Sequence, residues 1–315
     1  MTRPAPHANT APTPTAGRVI ASHGRHVLVE SGSHARISCT LFGRKLEAVC
    51  GDEVYWLPAD REGRGIVVER APRRTSLART DSHGRAEVIV ANLTQLVVVC
   101  AGLPRPDFFI TDRYLVAAEV AGLASIVVLN KAELPESRAA AEELANYAKI
   151  GFATLRCSAV SGLGINELMQ RLAGQISIFT GQSGVGKSSI ANRLMPGLNA
   201  ETDELTRATV EGRHVTSVAT LHHLPNGGDV IDSPGVRDFA PAIEQLSNPT
   251  EGFREMREPA TRCRFADCRH LREPGCGVKS AVEAGTISAR RYESYRRLAR
   301  LHDRLSHPHE PRKRR

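Results

Sequence analysis

Two groups of residues in this chain are typed and spaced for chemistry. The first is "GQSGVGKSS", Gly181 to Ser189, which fits the phosphate-loop pattern G-x-x-x-x-G-K-[ST]. It follows the apolar strand-like run "ISIF" and precedes the helix-like "SSIANRLM". Its glycines let the backbone curl, so that N–H groups along Gly181, Gln182, Ser183, Gly184, Val185, Gly186, Lys187, Ser188 and Ser189 can surround phosphate oxygens. Lys187 is expected to reach the β and γ oxygens, and the Ser188 hydroxyl to ligate Mg²⁺. The second group is Cys263, Cys268, His270 and Cys276, spaced C-x4-C-x-H-x5-C. Thiolate and imidazole donors suit tetrahedral Zn²⁺, and four protein ligands leave no open position, so one structural ion is expected. The Pro274-Gly275 pair can turn the chain to deliver the last thiolate.

Further stretches acquire meaning beside the phosphate loop. "DSPG", Asp232 to Gly235, ends the strand-like "GGDVI"; Asp232 can hold Mg²⁺ and the Gly235 N–H can reach a γ-phosphate. Between the two lies the polar "VEGRHVTSVAT", in which Thr216 is the candidate sensor of Mg²⁺ and γ-phosphate, with Ser217 its adjacent competitor. "VVLNKAEL" follows an apolar run, where base-reading loops lie at the carboxyl end of a strand. Guanine offers N1–H and an exocyclic amine, a donor pair that the Glu133 carboxylate can accept, while Asn130 can meet the O6 and N7 side and Lys131 completes the motif. Adenine lacks that pair and leaves the carboxylate unpaired, at a cost of roughly 1–3 kcal/mol or more. "CSAVSG" adds Ser158 and Ala159, whose backbone N–H can meet the guanine O6. The base motif precedes the phosphate loop, a cyclic shift of the usual order that preserves one spatial site if the original termini lie close together.

These loops need a scaffold. "QLVVVCA", "SIVVLN", "TLRCSA", "ISIFTG" and "GDVIDSPG" are near-continuous apolar runs, as strands covered on both faces require. Helical spacing separates them, with Thr111 and Pro135 as start signals for two helices. The expected core is an α/β domain with a mostly parallel sheet over about residues 85–241. Before it, residues 17–75 hold short β segments bounded by Gly, Pro or Asp, the pattern of a small all-β barrel resembling an OB-fold. Residues 1–16 are Pro/Thr/Ala-rich and read as a disordered tail. "ERAPRRTSLARTDSHGRAE" reads as a linker or exposed loop whose Arg70, Arg73, Arg74 and Arg79 could meet phosphates. Residues 242–306 form a smaller, mainly helical metal-binding domain, followed by a basic tail at 307–315. Its helix "SARRYESYRRLARLHDRL" carries Tyr292, Tyr295, Leu298, Leu301 and Leu305 on one stripe. Arg290, Arg291, Arg297, Arg300 and Arg304 largely occupy the other face, suited to nucleic-acid phosphates or to plain solvation.

Composition sets the outer bounds. The 315 residues are 41% hydrophobic with a formal charge of +8 and pI near 9.4, which points to an anionic partner, nucleic acid before substrate. No apolar run is long enough to span a membrane and no secretory leader is evident, so the chain reads as soluble, cytoplasmic and independent of membranes. Cys39, Cys50, Cys100 and Cys157 sit in apolar runs and read as small hydrophobes.

Together "LNKAEL", "GQSGVGKSS", "GRHVTS", "GGDVIDSPGVRDF" and "CRFADCRHLREPGCGV" resemble the RsgA (YjeQ) family of circularly permuted GTPases over nearly the whole chain. The resemblance implies an OB-fold, a permuted P-loop GTPase domain and a zinc-binding domain in a monomeric protein. It also implies binding to the 30S ribosomal subunit and its rRNA, and GTP hydrolysis to GDP coupled to late maturation of that subunit and stimulated by it. Where many GTPases carry a water-orienting Gln, this chain has Val236; His214 matches the switch histidine proposed for that role in the family, beside Lys187 and Thr216. Two positions depart from the family pattern: Glu133 stands where Asp is usual, and Val215 follows His214 where Thr is usual. Two other functions compete with this reading, an ATP-using P-loop enzyme and an rRNA-binding module that nucleotide merely stabilises.

Overall fold

A computed structural model of the protein describes residues 13–59, 63–80, 86–197, 219–233 and 248–306. Five short strands come first: β1 (Thr15–His23), β2 (His26–Ser31), β3 (Arg36–Leu41), β4 (Glu53–Pro58) and β5 (Gly65–Arg70). β1 begins two residues before the expected start of the barrel, inside the stretch read as a tail. The strands pair in the order β1-β2-β3-β5-β4, and β4 pairs back onto β1 to close an OB-like barrel. Closure pairs backbone groups that an open edge would leave bare. Side chains alternate across each strand, so Val27 and Val29 of β2 point inward with Val19, Cys39, Leu41, Val54 and Val67 to fill the interior.

The segment read as a linker is instead a hairpin: β6 (Ser76–Thr80) pairs antiparallel with β7 (Ala86–Ala91). Its charges concealed the alternation that buries Leu77 and Val90. Three of its arginines are engaged within the chain rather than presented to phosphates. Arg73 donates Nε and Nη2 to the two oxygens of buried Asp52, each at 2.8 Å, a bidentate pair. Arg74 reaches Glu53 at 2.6 Å and Arg79 reaches Glu87 at 2.9 Å.

The α/β layer contains β8 (Gln95–Ala101), β9 (Ala124–Asn130), β10 (Ala153–Arg156), β11 (Ile176–Thr180), β12 (Ala219–His223) and β13 (Asp229–Asp232). Their order is β10-β9-β8-β11-β13-β12, parallel throughout except for the antiparallel β12–β13 pair. β8 and β11 are buried at every residue, as helices on both faces demand. Helices α1 (Phe108–Val120) and α2 (Ser137–Lys149) contribute Leu115, Ala118, Leu144 and Tyr147 to the core on one face. Helices α3 (Ile165–Leu172) and α4 (Lys187–Leu194) contribute Leu168, Leu172, Ile190 and Leu194 on the other. Asp107, rather than the expected Thr111, caps α1: its Oδ1 accepts the Phe109 N–H at 3.0 Å, while Thr111 is buried a turn later. β1 also pairs with β12, matching Ala21 to Thr220, so barrel and parallel layer form one eleven-stranded sheet.

The C-terminal module consists of two 3₁₀ turns (Pro249–Gly252, Arg254–Met256) and helices α5 (Arg257–Ala260), α6 (Gly277–Glu283) and α7 (Ala289–Ser306). Its core of Phe253, Met256, Cys276, Val278, Ile287, Tyr295 and Leu298 includes Val116 from α1. Gly252 lies so close to Val116 that an added Cβ would collide with its side chain. Asp112, Val116 and Glu119, spaced four and three apart, turn one face of α1 toward this module. Glu119 accepts from Arg254 at 2.6 Å and Arg257 at 2.7 Å.

Two arginines expected on the nucleic-acid face of the last helix are internal instead. Arg291 is fully buried and donates to Asp112 at 2.6 Å and to both oxygens of Glu255 at 2.6 and 3.0 Å. Arg290 donates to Asp112 at 2.6 Å and contacts Glu143. Arg297, Arg300 and Arg304 do stand exposed, while Leu305 lies beyond the packed part of the apolar stripe. Burial pushes the Asp112 carboxyl upward, but the Arg291 and Arg290 guanidiniums outweigh it and hold it below the usual carboxylate range. A depressed folded-state pKa contributes stability above the unfolded value, about 3.9, that is lost as pH falls through the folded value. Urea unfolding followed from pH 5 downward should therefore show a steeper acid loss for the native chain than for Asp112→Asn. Equal slopes would remove Asp112 from that account.

Candidate nucleotide-binding site and metal centre

Parallel strands deliver their following loops to one edge of the sheet, and the described residues singled out for nucleotide binding gather there. The phosphate loop joins β11 to α4, with Gly181, Gly184 and Gly186 at φ of +136°, +78° and +94°. A Cβ at Gly181 would strike the Val99 carbonyl, and one at Gly186 the Asn130 amide, so glycine is required by both backbone conformation and space. Lys187 is buried and its Nζ donates to the carbonyls of Gly181 at 2.7 Å and Gln182 at 3.0 Å. Val185 is buried, Gln182 half-buried, and Ser183, Gly184, Ser188 and Ser189 are exposed.

The N-K-x-E stretch abuts this loop. Asn130, buried at the end of β9, donates Nδ2 to the Val185 carbonyl at 2.9 Å and accepts the Ala159 N–H on Oδ1 at 3.1 Å. Lys131, at φ +57°, donates Nζ to the carbonyls of Gly184 at 2.8 Å and Leu103 at 2.9 Å. Ser158 is buried, and its Oγ accepts the Ser161 N–H at 3.0 Å, shaping the loop after β10. Glu133 is exposed at the rim. Asn130 thus ties together the loops after β9, β10 and β11, an arrangement that a fortuitous N-K-x-E match has no reason to produce.

Asp232 ends β13, which runs parallel beside β11 with Ile231 opposite Ile178, so it reaches the same edge. The carboxylate and the Ser188 hydroxyl are hard oxygen donors, the type that Mg²⁺ prefers. His214, Thr216, Ser217, Gly235 and Val236 lie outside the described residues.

The cysteine cluster converges as its spacing implied. The ligand atoms of Cys263, Cys268, His270 and Cys276 all lie within 4.8 Å of one another. Cys263 and Cys276 Sγ are 3.9 Å apart, and His270 Nδ1 is 3.4 and 3.5 Å from them. Bonds of ordinary Zn–S and Zn–N length arranged tetrahedrally put sulfurs about 3.8 Å apart and sulfur and nitrogen about 3.6 Å apart, so the donor set fits. Burial pushes the His270 imidazole below its usual pKa, favouring the neutral form that a metal needs. Backbone N–H groups of Gly277 and Lys279 donate to Cys263 and Cys276 Sγ at 3.3 and 3.5 Å, and the Tyr292 hydroxyl fixes the His270 carbonyl at 2.7 Å. By contrast, burial pushes the thiols of Cys39, Cys100 and Cys157 up to about 12, and all four remaining cysteines are buried, consistent with packing roles.

Sequence reading missed one link. Gln182 accepts the Asp107 N–H on Oε1 at 3.1 Å, so the phosphate loop touches the cap of the helix whose Asp112, Val116 and Glu119 face the cysteine-bearing module. Acidic residues seven apart on an apolar helix were the available signal.

Comparison with known proteins agrees with this geometry. A family model described as RsgA GTPase matches residues 70–241. The small ribosomal subunit biogenesis GTPase RsgA of Ectopseudomonas mendocina (strain ymp) is 42% identical over 290 residues, covering 90% of this chain and 84% of its own. Its namesake in Pseudomonas aeruginosa (strain LESB58) is 42% identical over 285 residues with the same coverage, 90% and 84%. Among solved structures, YjeQ from Thermotoga maritima superposes with a TM-score of 0.73 at 31% identity, covering 92% of this chain and 98% of that one. YloQ, described as a circularly permuted GTPase, gives 0.70 at 25% identity with 98% and 100% coverage.

Proposed function

The chain belongs to the RsgA GTPase family, and from that premise we propose that it hydrolyses GTP to GDP and phosphate during late maturation of the 30S ribosomal subunit. Nucleotide state, in this reading, controls its binding to and release from the subunit. The observation that carries the reading is the Asn130–Val185 contact at 2.9 Å, which joins a guanine-reading motif to a phosphate loop 55 residues away in the chain.

The residues divide the work. Asn130, Lys131 and Glu133, with the Ser158-Ala159 loop, frame guanine; the amides from Gly181 to Ser189 and the Lys187 ammonium hold the phosphates. Ser188 and Asp232 would hold Mg²⁺, which when bound neutralises charge developing on the β and γ oxygens. Thr216 and the Gly235 N–H sense the γ-phosphate. Val236 has no group to orient water, so His214 takes that task as a neutral imidazole. Residues 17–75 act as an OB-fold and 85–241 as the GTPase domain. Residues 242–306 form a module built around one structural Zn²⁺, with Arg297, Arg300 and Arg304 available to rRNA phosphates. The path from Gln182 through α1 to Arg291 gives the nucleotide site a packed connection to that module. Among the described residues no helix is long and apolar enough to cross a membrane; the family reading places the chain in the cytoplasm as a monomer.

GTP and ATP turnover measured with and without 30S subunits tests the reading. A large stimulation confined to GTP is expected. ATP competing at comparable affinity would favour an ATP-using enzyme; unstimulated turnover with nucleotide-independent subunit binding would favour an RNA-binding module. For the base reader, Glu133→Ala should erase the preference for GTP over ATP, a loss of roughly 1–3 kcal/mol in discrimination, while Glu133→Asp retains it. Native selectivity in the alanine variant would mean that another group reads guanine.

A further inference from the structure

Among the described residues, a second convergence of metal-type donors lies where the barrel meets the parallel layer, away from the cysteine centre. Glu30 is near the end of β2, His34 sits in the turn that follows, His223 ends β12 and Asp229 begins β13. We propose that Glu30, His34 and His223 form a binding site for one divalent transition-metal ion of the Zn²⁺ type, which clamps the β2–β3 turn to the β12–β13 hairpin. The inference stands on these residues alone and does not depend on the nucleotide reading.

Glu30 Oε1 lies 2.9 Å from His223 Nε2 and 3.4 Å from His34 Nδ1, and the three donor atoms all fall within 4.8 Å. A tetrahedral ion with ordinary Zn–N and Zn–O bonds separates nitrogen and oxygen donors by about 3.4 Å. His34 already has that spacing, and His223 must open by only about 0.5 Å. A separate observation points to a ligand: Asp229 Oδ1 is 2.7 Å from His223 Nδ1 and so fixes the proton on that nitrogen. Nε2, the other ring nitrogen, is thereby aimed at Glu30, the carboxylate–histidine pairing that orients ligating imidazoles. Asp229 is itself steadied by Arg18 at 3.2 Å.

The surroundings suit a cation. The Asp229 and Glu30 carboxylates flank the His223 ring at 2.7 and 2.9 Å, a negative surround for a divalent ion. Glu30 is only 11% exposed on its side chain and faces His223 with both oxygens, so it moves little on binding. His34 is 79% exposed and free to close onto the ion, and three protein ligands leave a fourth position for water. Imidazole and carboxylate donors favour zinc or its neighbours over Mg²⁺. Asp229 and Asp232 are the two ends of β13, so a filled site would fix the strand carrying the proposed Mg²⁺ ligand against the barrel.

Full-length protein is brought to constant zinc content by gel filtration, then titrated with ZnCl₂ alone by calorimetry and equilibrium dialysis. The native chain should take up one equivalent more than His34→Ala or Glu30→Gln, or bind it at least about tenfold more tightly, and only the native chain should gain thermal stability from that equivalent. Because the count is a difference between chains sharing the same cysteine centre, occupancy of that centre does not affect it. His34 is exposed, so its loss should leave the fold intact, which circular dichroism checks. Equal uptake by native and both variant chains, or no additional equivalent by about 1 mM zinc, would overturn the proposal.

Discussion

Arg291→Leu is expected to destabilise the protein by about 3–5 kcal/mol, the effect of removing one member of a buried charge network. Arg291 has no exposed surface and satisfies Asp112 at 2.6 Å and Glu255 at 2.6 and 3.0 Å, with its guanidinium 4.7 Å from the centre of the Phe253 ring. Leucine replaces the aliphatic stem but leaves the Glu255 carboxylate without its bidentate donor and Asp112 without one of its two guanidinium partners, with Arg290, Tyr147 and Ser294 remaining. Those carboxylates are buried or nearly so, and water cannot stand in for the lost partner. Arg297→Leu is the matched comparison. Its guanidinium lies 4.0 Å from the Phe109 ring centre on an exposed surface, and such a contact contributes only about 0.5–1 kcal/mol. Urea midpoints for the two variants would separate these cases; a difference under about 1 kcal/mol would mean that Arg291 does not fasten the C-terminal module.

Lys187→Ala is expected to lower GTP turnover at saturation on the order of 10²–10³-fold, the usual cost of deleting one positioned donor to transition-state charge. In the described conformation its ammonium is buried against the Gly181 and Gln182 carbonyls, so it is already confined to the phosphate loop and need only turn toward an incoming oxygen. The loop amides remain in the variant, which predicts a larger loss in kcat than in nucleotide affinity. Single-turnover hydrolysis beside GDP titration distinguishes the two quantities. Unchanged turnover in a folded variant would remove Lys187 from the chemistry.

Much of this was legible from short motifs because their chemistry is local. Glycines at 181, 184 and 186 are needed for a loop that closes around phosphates, and the cysteine spacing delivers four donors to one point with few intervening residues. Apolar runs likewise announced the parallel strands, since burial on both faces leaves no room for alternation. Local reading failed where charge masked packing. Arg73 and Arg291 looked like surface cations, yet each is satisfied by carboxylates 21 or more positions away, Asp52 for the first and Asp112 and Glu255 for the second. The β6–β7 hairpin was obscured in the same manner, its buried Leu77 and Val90 hidden among polar neighbours.

By itself, then, the sequence determined the kinds of motif: a phosphate loop, an N-K-x-E stretch proposed to read guanine, a four-donor metal-type set, and their permuted order. Each depends on residue type and near-neighbour spacing, which any single chain displays. Only the tertiary structure decided how they connect. Asn130 meets Val185 because parallel pairing brings the ends of β9, β8 and β11 to one edge, and β12 meets β1 because a strand of the barrel continues the sheet. Asp112 of α1 meets Arg291 of the last helix, 179 positions on, and Glu30 meets His223, 193 positions on. Contacts at such separations arise from the packing of whole elements, to which a local pattern of residues carries no marker.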